Sequence, residues 1–147
     1  MSSLATPPVE PLPRYGNPLS LDQARQVMAA AEQEAACQQW PMVITIVDST
    51  GHLVMVHRLE HAQYGSIKVS QLKAQTALDF RRPTRLLEQA VEQGGLGLRL
   101  LSVPGVVALE GGLPLIAGGL IVGAIGVSGM QSTQDAQVAM AGAAALD

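Results

Sequence analysis

The sequence predicts an α/β domain of the α+β kind, with an antiparallel sheet of about five strands flanked by helices. Three observations point to it. Gly118-Gly119 sits between two short apolar runs, the pattern of a two-residue hairpin whose turn positions both need φ > 0. Asp48-Ser49-Thr50-Gly51 separates two β-rich runs, Met42 to Val47 and Leu53 to Leu59, and is turn chemistry of its own. The order of elements is helix, two strands, two helices, about three strands, helix. Strand–helix–strand alternation does not run through it, which argues against a parallel Rossmann-type sheet.

Residues 1 to 18 hold five of the nine prolines and show no hydrophobic period. They read as a disordered or loosely packed arm, ahead of a single domain over 19–147. Ser20 with Gln23 makes a capping box. Leu21, Ala24, Val27, Met28, Ala31 and Ala35 then recur at helical spacing up to Pro41, with Trp40 packed against the sheet. A second helix runs from about Ser66 to Phe80, and Pro83 breaks it. Thr84 caps a third, Arg85 to about Glu92. Residues 94 to 105, rich in glycine, read as a mobile loop. A strand follows near Val106 to Leu109, then the glycine hairpin. Ser132 with Asp135 forms a second capping box and opens the last helix.

The chain has 147 residues, 48% of them hydrophobic and 3% aromatic, with a net charge of −3. One domain with an aliphatic core is the simplest reading. The acidic balance and scarce aromatics argue against a nucleic-acid partner. The lone Cys37 excludes an internal disulfide. A basic segment followed by an apolar one is missing from the N-terminus, so a cytoplasmic location is expected. The apolar run Leu113 to Val127 is shorter than the ~20 residues that span a bilayer, so no membrane partner is expected.

Phosphate-loop, dinucleotide, zinc-protease and nucleophile-elbow motifs are all missing. Three features remain that carry chemistry. The first is the histidines His52, His57 and His61. His61 lies in the loop after the second strand beside Tyr64, and imidazole and phenolate both ligate haem iron; the bland reading is a histidine on a turn or strand face. The second is basic: Lys68, Lys73, Arg81, Arg82 and Arg85 are five of nine cations. Lys73 shares a helix face with Val69, Thr76, Ala77 and Phe80. Its half-buried stem calls for a carboxylate, Glu110 or Asp135, or for a small anionic ligand. Arg82 is suited to a ligand carboxylate such as a haem propionate. The third is glycine: Gly123, Gly126 and Gly129 weaken a strand unless another backbone, a subunit or a flat ligand approaches closely.

One set of motifs runs the length of the domain. It comprises Val47-Asp48-x-x-Gly51-His52-Leu53, Arg58, Lys73-Ala74-x-Thr76-Ala77 and Phe80-Arg81-Arg82-Pro83-Thr84. It continues with Gly111-Gly112-Leu113-Pro114, Val122 to Gly129 and Gln134-Asp135. Together these resemble the GlcG/HbpS-like family, which includes the C-terminal domain of PduO-type proteins, over about residues 19 to 146. The resemblance implies a profilin-like fold, a homo-oligomer, and a link to haem or corrinoid. The haem-type reading puts His61, Tyr64, Lys73, Arg82 and Gly126 at the cofactor, with His61 as the iron ligand. Ligands vary among members, and none is carried over. The alternative is a catabolic enzyme acting on an organic acid or carbonyl compound without haem. In it Lys73, Glu110 and Asp135 supply the acid–base groups.

Overall fold

The structure is a computed structural model that describes residues 11–146; the first ten residues of the expected arm lie outside it. Helix α1 spans Leu21–Gln38 and is capped by the reciprocal Ser20–Gln23 box. Strands β1 (Val43–Asp48) and β2 (Leu53–Arg58) form the first hairpin. Helix α2 (Gly65–Phe80) and helix α3 (Thr84–Gln93) follow. A 3₁₀ segment over Gly95–Ser102 leads to β3 (Gly112–Ala117) and β4 (Leu120–Ser128), and α4 (Ser132–Ala143) closes the chain.

The sheet has four strands in the order β2-β1-β4-β3, and its named pairs are all antiparallel. The expected strand near Val106 to Leu109 does not form. Val107 gives its backbone N–H to the Thr76 hydroxyl at 3.1 Å, so this stretch is tied to α2 rather than to β3. The expected mobile loop at 94–105 is ordered in part as the 3₁₀ segment. Two caps also differ. Pro83, not Thr84, precedes α3, and the box that starts α4 is Gln131 with Gln134. Thr84 instead ties α3 to the sheet, because its buried hydroxyl accepts the Gly112 N–H at 2.9 Å.

The Gly118-Gly119 turn forms with φ of 59° and 78°, the conformation a tight hairpin requires. The main core lies between the sheet and α1 with α4. There Ala24, Val27, Met28 and Ala31 of α1 meet Ile44, Ile46, Ile125 and Val127 of the sheet. Trp40 packs against this core, as expected, while Leu21 stays half exposed.

Helix α2 covers the opposite face, and here the glycines find their role. Gly112 and Gly126 are register partners across β3 and β4. A Cβ on Gly126 would sit 2.5 Å from the Ala74 nitrogen and closer still to the Ser70 carbonyl oxygen. One on Gly112 would strike the Lys73 carbonyl and come within 2.8 Å of Thr84. The approaching backbone is therefore this chain's own helix. The matching side of α2 carries small side chains, with Ser66, Ser70, Ala74 and Ala77 all buried.

The end of the expected loose arm is held. Tyr15 forms a parallel bridge with Ile121, Gly16 donates to the Ile121 carbonyl at 2.8 Å, and the Tyr15 hydroxyl donates to the Leu78 carbonyl at 2.7 Å.

Candidate functional site

The loop between β2 and α2 stands between two depressions. On one side Arg58, Glu60, His61 and Tyr64 border an open hollow of about 550 Å³. His61 adopts φ 69°, a left-handed turn unusual for a residue with a Cβ. That turn brings the imidazole and the Tyr64 ring to the same rim. Tyr64 is 78% exposed, and the Arg58 guanidinium lies over its ring at 5.4 Å from the centroid. Imidazole and phenol are both competent iron donors, and Arg58 adds a cation at the rim. Glu60 places a carboxylate on the same hollow.

On the other side Gln63, Lys73, Glu88, Ser128, Gln131 and Asp135 line a cleft of about 380 Å³. Its floor is a buried ion pair. The Lys73 ammonium donates to the Asp135 carboxylate at 2.8 Å and to the Val127 carbonyl at 2.9 Å. Lys73 is 2% exposed. The second Asp135 oxygen accepts the Met130 N–H at 3.0 Å. Burial pushes the Asp135 carboxyl upward, against the pull of Lys73 and of the Met130 and Gly129 N–H groups. The pair joins α2, β4 and α4, so it fastens a helix on one sheet face to a helix on the other. Buried hydroxyl bonds also tie α2 to the sheet, Ser128 with Ser66 at 3.1 Å and Ser70 with Thr45 at 2.8 Å, and the Gln63 amide donates to the Ser66 hydroxyl at 3.0 Å.

The structure joins some predicted residues and separates others. Lys73 and Asp135 meet. Glu110 feels the Lys73 charge but makes no hydrogen bond with it among the described residues. Burial first, and then the nearby Glu88 carboxylate, raise the pKa of Glu110, with Arg85 and Lys73 opposing. Gly126 lies beneath α2, inside the protein. Arg82 is at the far end of α2 from His61 and Tyr64. That helix has 16 residues, and at about 1.5 Å per residue its ends are roughly 24 Å apart. One porphyrin does not bridge that gap, so the expected pairing of a His61 or Tyr64 iron ligand with an Arg82 propionate contact is not made within one protomer.

The histidines are also dispersed. His52 meets Thr50 in the β1–β2 turn, and His57 pairs with Glu32 of α1. Among the described residues no group of three or more potential metal-binding side chains forms. Arg58, Gln63, Glu88 and Ser128 border the two depressions but carried no site expectation. A signal for part of this lay in the sequence: Ser66, Ser70 and Lys73 fall on one helical face beside alanines, a polar stripe where a core stripe belongs.

Comparison with known proteins agrees with the fold. Residues 19–144 match the family model described as haem degrading protein HbpS-like. Protein GlcG of Escherichia coli strain K12 is 39% identical over 110 residues, 75% of this chain and 81% of that protein. A crystal structure of a PduOC–heme complex superimposes with a TM-score of 0.80 at 31% identity, covering 88% of this chain and 96% of that one. Crystalline HbpS aligns with a TM-score of 0.81 at 28% identity over 100% of this chain and 99% of its own. The chain belongs to the HbpS-like family. No described helix is long and apolar enough to cross a membrane.

Proposed function

We propose that this protein binds a tetrapyrrole, haem in the first place, at the hollow bordered by Arg58, His61 and Tyr64. The single observation that carries the reading is the similarity to PduOC, which was crystallised with heme. The donor set at the hollow supports it. In this reading His61 or Tyr64 supplies the axial ligand and Arg58 meets a propionate. Haem contributes its own redox and ligand chemistry; the chain binds, orients and partly shields it. The role that follows is sensing, storage or handling of the cofactor. A corrinoid is the alternative tetrapyrrole.

We further propose that the protein acts as a homo-oligomer. Leu96, Leu98 and Leu101 of the 3₁₀ segment are 79%, 49% and 67% exposed, and such an apolar surface marks an interaction site. Titration of haemin and of cobalamin, followed by absorbance, tests the ligand. Saturable binding of haemin at one per protomer supports the proposal. Saturation by cobalamin alone would replace haem with a corrinoid, and saturation by neither would refute both.

A further inference from the structure

The far end of α2 carries a site of a different kind. A groove of about 350 Å³ runs between the end of the arm, the start of α3 and the edge strand β3. Its walls are apolar: Pro13, Pro83, Leu86, Leu113 and Ile116. Arg81 and Arg82 are the charged residues on it. Among the described residues neither guanidinium forms a salt bridge; the pairs there are Arg25–Asp22, His57–Glu32 and Lys73–Asp135.

The two arginines are not equivalent. Arg81 donates to the Pro13 carbonyl at 3.4 Å and lies 5.9 Å from the Tyr15 ring centroid, so it clamps the arm. Arg82 donates its Nε to the Phe80 carbonyl at 2.8 Å. That bond restrains the guanidinium, and its two terminal NH₂ groups form no hydrogen bond among the described residues, on a side chain that lines the groove. A half-buried cation on an apolar wall without a carboxylate is costly. A planar fork of this kind matches a carboxylate through two parallel hydrogen bonds.

We propose that this groove is a binding site for an organic monocarboxylate with an apolar body. The carboxylate pairs with the terminal nitrogens of Arg82, and the body lies on Leu86, Leu113 and Ile116. One free fork suits one carboxylate, and the apolar walls favour an aliphatic or cyclic acid over a sugar acid or a free phosphate. The site is separate from the hollow at His61 and stands whether or not haem binds there.

Calorimetric titration of sodium octanoate, below its micellar range, tests the proposal. 1-Octanol is the neutral control, and haemin distinguishes a porphyrin carboxylate from an aliphatic one. The result expected is saturable octanoate binding at one site per protomer, with octanol at least about tenfold weaker, the scale of a charged hydrogen bond. Arg82→Gln weakens octanoate by about tenfold or more and leaves octanol unchanged. Leu86→Ser, at a half-exposed position, weakens both, and Arg25→Gln on α1 weakens neither. Thermal unfolding of each variant confirms its fold. Equal affinity for octanol and octanoate, an Arg82→Gln variant that binds octanoate normally, or no saturable octanoate binding would each overturn the proposal. So would loss of octanoate binding on Arg25→Gln. Displacement of octanoate by haemin in wild type and in His61→Ala alike would also overturn it, because the groove would then be the porphyrin site.

Discussion

Replacing Gly126 with alanine adds one methyl group where β4 packs directly against the backbone of α2. The new Cβ would lie 2.5 Å from the Ala74 nitrogen and closer to the Ser70 carbonyl oxygen, where carbon contacts settle at about 3.5–4.0 Å. Both obstacles are backbone, so no side chain can swing away. Helix α2 must retreat by about 1 Å, which strains the 2.8 Å Lys73–Asp135 and 2.8 Å Thr45–Ser70 bonds. Overpacking costs about 1–3 kcal/mol, and weakening buried polar contacts adds about 1 kcal/mol. At roughly 2–4 °C per kcal/mol for a domain of this size, the melting midpoint falls by roughly 4–16 °C. Gly65→Ala is the matched control. Nothing lies within 4 Å of its added Cβ, and alanine favours a helix, so stability holds or rises by up to about 1 kcal/mol. Differential scanning calorimetry of the three proteins decides the matter. A Gly126→Ala midpoint within about 1 °C of wild type would show that α2 does not rest on the glycine saddle.

Lys73→Met leaves Asp135 buried without its cation and costs about 3–5 kcal/mol in urea unfolding, whereas Lys73→Met with Asp135→Leu recovers most of the loss. Lys68→Ala, at an exposed position on the same helix, stays within about 0.5 kcal/mol of wild type. The Asp48 carboxyl has a lowered pKa. Desolvation alone would raise it, but bonds from Thr50 and His52 outweigh that. Its contribution is therefore full above the ordinary aspartate value of 3.8 and is lost as pH falls through the lower folded value. Asp48→Asn should flatten the acid limb of the stability curve below about pH 4 and leave neutral pH little changed; an identical acid limb would contradict this. Leu96→Glu combined with Leu101→Glu should lower the oligomer size in sedimentation without lowering the melting midpoint of the domain. A wild type that sediments as monomer at micromolar concentration would remove the interface.

Local rules carried the helices and hairpins. Periodicity located α1, proline ended α1 and α2, and paired glycines placed the β3–β4 turn, because each is decided within a few residues. The element that failed was decided at a distance. Val106 to Leu109 has strand composition, but Thr76, some thirty positions upstream, takes its backbone N–H. The same holds for Gly126. Its sequence context announced a close approach, yet only the register of β4 under α2 shows that the partner is internal. At the site, donor-bearing residues such as His61 and Tyr64 were visible by type and spacing. Arg82 was visible too, but its separation from them is set by the length of α2. Glu88 and Ser128 gave no local sign, since a glutamate on a short helix and a serine ending a strand are ordinary until α2 brings them beside Lys73.

Everything proposed for the cofactor depends on a tetrapyrrole binding where His61 and Tyr64 share a rim. Titration of haemin into wild type, His61→Ala, Tyr64→Phe and the double variant, followed through the Soret and charge-transfer bands, tests this. Imidazole and phenolate ligation give different bands. Saturable binding is expected in wild type, with a changed spectrum in one of the single variants. In the double variant affinity should fall by about tenfold or more, the loss of a strong polar contact. Unaltered spectra and affinity across all four proteins would contradict the proposal and remove this loop from the site.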